Sequence, residues 1–112
     1  MVRGDGTVVG LVTWTPCGFP SGVTHEIRVG IAPEHRRQGF GTAAQDLLVE
    51  YLLDHTTAHR IEARTKDANT GEQKALERLG FRQEGLMRGR SFLNGKYLGV
   101  LVYGLLRENR RP

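Results

Sequence analysis

A basic, glycine-rich segment between a strand pattern and a helix pattern constrains the fold of this chain more than any other feature. The segment covers residues 33–42 and reads PEHRRQGFGT. Before it, apolar residues alternate at Ile27, Val29 and Ile31, as they do along a half-buried strand. After it, apolar residues recur at the spacing of an amphipathic helix, at positions Phe40, Ala44, Leu47, Leu48 and Tyr51. The sequence therefore predicts a strand, a basic loop and a helix in direct succession.

The chemistry of this loop suits an anion. Gly39 and Gly41 let a ligand approach the backbone where the helix begins. The first N–H groups of a helix have no intrahelical acceptor and lie at the positive end of the helix dipole. With Arg36 and Arg37 they suit a phosphate or pyrophosphate. A plain turn with solvated arginines would use the same residues, and neither the dinucleotide nor the Walker fingerprint is present, so both interpretations stay open.

Composition limits the class of protein without deciding its function. The 112 residues suffice for one small domain, and 38% apolar with 25% charged residues is ordinary for a globular protein. Without a membrane-span or signal-peptide pattern, we expect one cytoplasmic domain over residues 1–112. The single cysteine excludes an intrachain disulfide. The net charge of +4 suits a phosphate-rich cofactor as well as nucleic acid.

The remaining patterns predict an α/β fold with a mixed sheet that is largely antiparallel. Strands are expected at residues 7–14, 25–31 and 60–65, turn formers at 15–22, and a first helix at about 40–54. Asn69 and Glu72 have the spacing of a capping box that starts a second helix. Gly80 is placed to end that helix in the left-handed C′ conformation. Asn94-Gly95 predicts a hairpin between closing strands at 81–90 and 96–106.

Two motifs and the closing hairpin resemble the GNAT superfamily of N-acetyltransferases. Strand, Pro33, Arg36-x-x-Gly39-x-Gly41 and helix resemble its acetyl-coenzyme A binding motif. Residues 69–85 resemble its second signature, in the version of the ribosomal-protein N-terminal acetyltransferases, and residues 94–97 and 101–106 are similar to that branch's final hairpin. The resemblance implies a GNAT-like acyl-CoA N-acyltransferase fold with helices on both faces of the sheet. Family members usually have a strand and two helices ahead of the strand predicted at 7–14, so we expect a domain short at its N-terminus.

The resemblance also implies a reaction, the direct transfer of an acetyl group from acetyl-CoA to a primary amine of a peptide N-terminus or a small molecule. Such a transfer needs a neutral amine, donors for the oxyanion and a proton for the leaving thiolate. The strand backbone at Val29, Gly30 and Ile31 is expected to lie along the pantetheine arm. The pyrophosphate is expected to bind at Arg36, Arg37, Gln38, Gly39, Phe40, Gly41 and Thr42.

The catalytic residues are less defined. Glu26 is the candidate base, because it lies on the strand where many members carry a catalytic glutamate. A salt bridge with Arg28, on the same strand face, would explain Glu26 equally well. Asn69 likewise has two interpretations, as a helix cap and as a cofactor contact. Where many members place a tyrosine as general acid, this chain has Leu76, which leaves that role vacant.

Acetyl-CoA and an amine acceptor are the expected partners, and a homodimer is left open. The alternative is a catalytically inactive acyl-CoA-binding sensor or interaction module, motivated by the short N-terminus and by Leu76. Nucleic acid is not expected, because the loop arginines lack interleaved aromatic residues. No metal is expected either, since His55 and His59 have metal-pair spacing but no evident third ligand. Cys17 lies among turn formers without a sign of a base.

Overall fold

The described part of the chain forms five strands and two helices, followed by a short 3-10 helix. The computed structural model describes residues 6, 8–17, 22–32, 34 and 39–110. The elements are β1 (Gly10–Cys17), β2 (Thr24–Ile31), α1 (Phe40–His55), β3 (Arg60–Lys66), α2 (Thr70–Arg78), β4 (Arg82–Leu93) and β5 (Lys96–Leu106), with the 3-10 helix at Arg107–Asn109. No helix among these residues is long and apolar enough to cross a membrane. That residues 1–112 form one domain stays a prediction.

The strands form one sheet in the order β1-β2-β3-β5-β4. Among the described strands only β2 and β3 are parallel, and α1 connects them because parallel neighbours need a crossover. The other three pairs are antiparallel. The predicted mixed, largely antiparallel sheet is therefore confirmed.

The pairing between β2 and β3 stops halfway along both strands. It runs from Thr24 to Ile27 on β2, with Ala63 as the last partner on β3. β2 continues to Ile31 and β3 to Lys66. A fork therefore opens between the carboxyl ends of the two strands, and α1 and α2 each begin just beyond it.

Both helices pack on the same face of the sheet, called here the helix face. One buried cluster joins them to the sheet; its members include Ile27, Ile61, Ala63, Leu101, Tyr103 and Leu105 from the strands, Leu48, Val49 and Leu52 from α1, and Leu76 from α2. Helices were expected on both faces of the sheet, and the described residues form helices on one face. The opposite face, called here the charged face, carries the side chains of Glu26, Arg28, Arg60, Glu62 and Glu84.

The predicted signals for α2 are confirmed at its end and half confirmed at its start. Gly80 has a φ of 98°, and the amides of Gly80 and Phe81 donate to the carbonyls of Glu77 and Leu76, which is a Schellman ending. At the start, the Asn69 side chain accepts the N–H of Glu72 at 3.1 Å. The other half of the predicted capping box, a hydrogen bond from the Asn69 backbone N–H to the Glu72 carboxylate, is wrong. The Asn69 N–H already donates to the Lys66 carbonyl, and the Glu72 carboxylate instead accepts from Gln45.

The prediction for the first strand is wrong in its limits, whereas the closing hairpin is confirmed. β1 lies at residues 10–17 and so takes in Pro16 and Cys17, which were assigned to a turn. Pro16 is tolerated because β1 is an edge strand of the described sheet. At the hairpin, Asn94 and Gly95 both have positive φ, 52° and 78°, as a two-residue type I′ turn requires.

Candidate active site

A groove of about 1040 Å³ opens at the fork between β2 and β3, and we call it the fork groove. Its walls are the carboxyl end of β2, the first turns of α1 and α2, and Leu93 and Leu98 of the hairpin. The structure brings together here all described residues that the sequence assigned to donor binding: Val29, Gly30, Ile31, Gly39, Phe40, Gly41, Thr42 and Asn69. Arg36, Arg37 and Gln38 lie outside the described residues, so their assignment stays a prediction.

Gly39, Phe40, Gly41 and Thr42, at the start of α1, line the fork groove. Gly39 is the N-cap with φ 83°, in the left-handed region, and makes no side-chain capping hydrogen bond. The first turn holds no acidic residue. A Cβ on Gly41 would lie 3.6 Å from Ile31 Cγ1, so the helix starts in contact with β2. Amides at the positive end of α1 therefore line the groove beside the strand.

A buried amide links the two helices inside the groove. Gln45 is only 2% exposed, and its Nε2 donates to the Gly41 carbonyl at 3.2 Å and to Glu72 Oε1 at 2.9 Å. Burial raises the pKa of the Glu72 carboxyl, and the hydrogen bond from Gln45 opposes that rise. Sequence reasoning missed this pair. Its only signal was a polar residue, Gln45, next to Ala44 on the apolar side of α1.

Glu26 lies outside the lining of the fork groove. It pairs with Glu62 of β3, one residue before the fork, on the charged face. Its carboxylate is 3.4 Å from Arg28 Nε, and its side chain is 13% exposed. The salt bridge considered from the sequence is therefore confirmed. Its role as a base stays a prediction.

The rest of the charged face is an ion-pair network. Arg60 donates to both carboxylate oxygens of Glu84, at 2.9 and 2.6 Å, and to Glu62 at 3.2 Å. The hydrogen bonds from Arg60 hold the pKa of Glu84 below its ordinary value. Burial, with the carboxylates of Glu62 and Glu26, raises the pKa of the Cys17 thiol. A protonated thiol is a poor nucleophile, in line with the incidental role expected for Cys17.

Leu76, which the resemblance places where many family members carry a tyrosine as general acid, is 1% exposed and belongs to the buried core. Its neighbour Ala75, one residue earlier, lines the fork groove.

Within the described part of the chain, no three His, Cys, Asp or Glu side chains are grouped so that they could hold a metal ion.

Comparisons with known proteins agree with this geometry. The model of the acetyltransferase (GNAT) family matches residues 1–81. The N-acetyltransferase p20 of Bacillus licheniformis, itself uncharacterized, is 32% identical over 83 residues, which cover 74% of this chain and 47% of that protein. YdaF of Bacillus subtilis (strain 168), named as a candidate ribosomal N-acetyltransferase, is 30% identical over 83 residues, or 74% of this chain and 45% of YdaF. The chain thus spans about half the length of these relatives.

Solved structures show the same fold. The spermidine N-acetyltransferase of Vibrio cholerae, crystallised with CoA and spermine, superposes with a TM-score of 0.87 at 24% identity. The superposition covers 96% of this chain and 63% of that one. The family match over residues 1–81 and the fork between β2 and β3 lead to one conclusion: this chain belongs to the GNAT family of acetyltransferases.

Proposed function

We propose that this protein transfers an acetyl group from acetyl-CoA directly to a primary amine. The observation that carries the proposal is the fork groove, which gathers the residues expected to hold the donor around the start of α1 and the end of β2. The pyrophosphate binds at the α1 N-terminus, where Gly39 leaves the backbone accessible. Arg36, Arg37 and Gln38 complete the anion site in this proposal.

The pantetheine arm lies along Val29, Gly30 and Ile31. This arm contains amide groups, and an extended ligand of that kind can pair with strand backbone in the way an added strand does. Because pairing with β3 stops at Ile27, the fork gives the arm a place beside β2. The thioester then points toward the closed end of the fork, where backbone N–H groups of β2 can stabilise the oxyanion.

The amine attacks from the charged face. Glu26 lies on that face one residue before the fork, so a base at this position meets the amine on the side opposite the helices. Glu26 removes the ammonium proton directly or through a water, and Arg28 holds its carboxylate in place. In this proposal the salt bridge and the catalytic role coexist.

Two acceptor classes follow from the relatives. The enzyme of Vibrio cholerae was crystallised with the polyamine spermine, and the name of YdaF points to ribosomal proteins. Both classes present a primary amine, so we propose that the acceptor is a polyamine or a peptide N-terminus. A cytoplasmic location and a homodimer are part of the proposal, and cell fractionation and light scattering of the purified protein test them.

Calorimetry with acetyl-CoA tests the donor site. Gly39→Glu places bulk and negative charge at the α1 N-terminus, so binding is expected to be lost. Gly89→Glu is the matched control, because Gly89 also has a positive φ, 65°, and open space around it but lies outside the groove lining. Equal affinities for both variants would contradict the site.

Thiol release with spermidine, spermine and peptide amines then tests the reaction. Acetyl-CoA binding without release on any amine would favour a sensor over an enzyme.

A further inference from the structure

Two ionisable side chains line the fork groove among the residues that the structure describes, Lys66 and Glu72. Lys66 is exposed at the last position of β3, at the open end of the fork. Glu72 lies in the first turn of α2 and is partly buried, with its carboxylate held by Gln45. The side chains that β2 contributes to the groove, Val29 and Ile31, are apolar. Glu72 is therefore the carboxyl group that faces the groove.

The position of Glu72 along the groove follows from the direction of the helices. α1 and α2 both start at the open end of the fork, so residues further along each helix lie deeper. Gln45 is the last residue of α1 that lines the groove, and Glu72 and Ala75 are the last two of α2. In the proposed binding mode, with the pyrophosphate at Gly39–Thr42 and the pantetheine arm along β2, the thioester points toward this end of the groove, where Gln45 donates to Glu72.

We propose that the carboxyl group of Glu72 donates the proton that leaves with the coenzyme A thiol. This inference rests on the proposed acetyl transfer and fills the role that Leu76 cannot perform. Leu76 is sealed in the core, whereas Glu72, one helical turn earlier, faces the groove.

The step balances without any further reactant. The neutral amine forms the C–N bond, and the carbonyl oxygen takes the negative charge. When the oxyanion collapses, the C–S bond breaks and the sulfur takes the proton of Glu72 to become a thiol. The base on the charged face has by then released the ammonium proton to solvent, so it can take the extra proton of the nitrogen. The Glu72 carboxylate then regains a proton from solvent.

The surroundings of Glu72 favour this role. Burial raises the pKa of its carboxyl, so the protonated form is more abundant at neutral pH than for an exposed glutamate. The hydrogen bond from Gln45 Nε2 to Oε1 holds the carboxyl group of Glu72 in the groove lining. Removing the Gln45 hydrogen bond should raise the pKa of Glu72 further, because that bond lowers it.

The test compares Glu72→Gln with Glu77→Gln, which makes the same change on an exposed position of the same helix outside the groove lining. The expected loss of kcat in Glu72→Gln is about 100-fold or more, with the Kd of acetyl-CoA unchanged within about threefold. Glu77→Gln should behave as the unmodified protein. The pH profile of kcat adds a readout that a purely structural role would not move. In the unmodified protein, kcat should fall as the pH rises and Glu72 loses its proton. This fall should be missing in Glu72→Gln and should occur at higher pH in Gln45→Met.

Each outcome decides the proposal. A reduced kcat and a missing fall of kcat with pH in Glu72→Gln, and a fall shifted to higher pH in Gln45→Met, support it. If Glu72→Gln keeps kcat and its pH profile, or loses only acetyl-CoA affinity, Glu72 is not the proton donor although the acetyl transfer stands. If the unmodified protein binds acetyl-CoA but releases no thiol with any amine, the proposed function fails and this inference fails with it.

Discussion

Replacing Asn69 by alanine should destabilise the protein by about 1 kcal/mol, the usual effect of removing an N-cap side chain. Asn69 Oδ1 accepts the N–H of Glu72 at 3.1 Å, and α2 has only nine residues, so its first turn depends on this contact. Unfolding entropy is about 2.1 cal/mol/K per residue, so 1 kcal/mol lowers the Tm of a domain of this size by about 4 °C. Thermal unfolding followed by circular dichroism measures the shift.

Asn69→Ser separates the two roles that the sequence left open for this residue. Serine caps a helix about as well as asparagine, so this variant should keep most of the Tm. It lacks the amide group, so a contact between that amide and acetyl-CoA would be lost and calorimetry would show weaker binding at unchanged stability. If Asn69→Ser loses as much Tm as Asn69→Ala, the capping argument is wrong. If both variants bind acetyl-CoA normally, Asn69 is a cap alone.

Two further predictions concern the fold. Gly80→Ala should cost about 1 to 2 kcal/mol, because φ is 98° there and L-residues are strained in this region; a guanidinium unfolding midpoint equal to that of the unmodified protein would contradict this. Glu84→Gln should lower the free energy of unfolding only at pH values where Glu84 is ionised. Arg60 lowers the pKa of Glu84, so the ion pair stabilises the fold above the unfolded pKa near 4.3 and its effect disappears as pH falls through the folded pKa. Because the Glu84 side chain is 42% exposed, the difference should stay below about 1 kcal/mol, and urea midpoints of the two proteins should converge toward pH 3.

The elements that the sequence predicted well are those with a local physical cause. Asn94-Gly95 can adopt two consecutive positive φ values and so defines its hairpin without help from the rest of the chain. Gly80 ends α2 for a similar reason. The limits of β1 depend instead on its place in the sheet. Pro16 reads as a turn residue unless the strand is known to lie at an edge, and strand order is not a local property.

The candidate site likewise has some features that the sequence could predict and others that it could not. The start of α1 could be predicted because glycines at a strand-to-helix junction have a direct consequence for backbone access. The hydrogen bond between Gln45 and Glu72 could not, because it joins residues 27 positions apart on two helices. Local reasoning assigned Glu72 to a capping box, which is a contact within its own helix. The packing of the two helices gives Glu72 a different partner. The backbone N–H of Asn69 already donates to the Lys66 carbonyl, and the buried side-chain amide of Gln45 needs an acceptor, which the Glu72 carboxylate supplies.

The placement of the two carboxylates bears on how protons move in the proposed reaction. Transfer from a thioester to a neutral amine releases one proton from nitrogen and gives one to sulfur, so the reaction consumes and produces no net proton. Glu26 lies on the charged face and Glu72 on the helix side of the fork, so the two carboxyl groups lie on opposite sides of the sheet. A base that meets the amine and an acid that meets the sulfur can therefore act at once without competing for the same position. Burial raises the pKa of the Glu72 carboxyl against the opposing hydrogen bond from Gln45, which favours a proton donor on the helix side, whereas the Glu26 carboxylate lies beside Arg28.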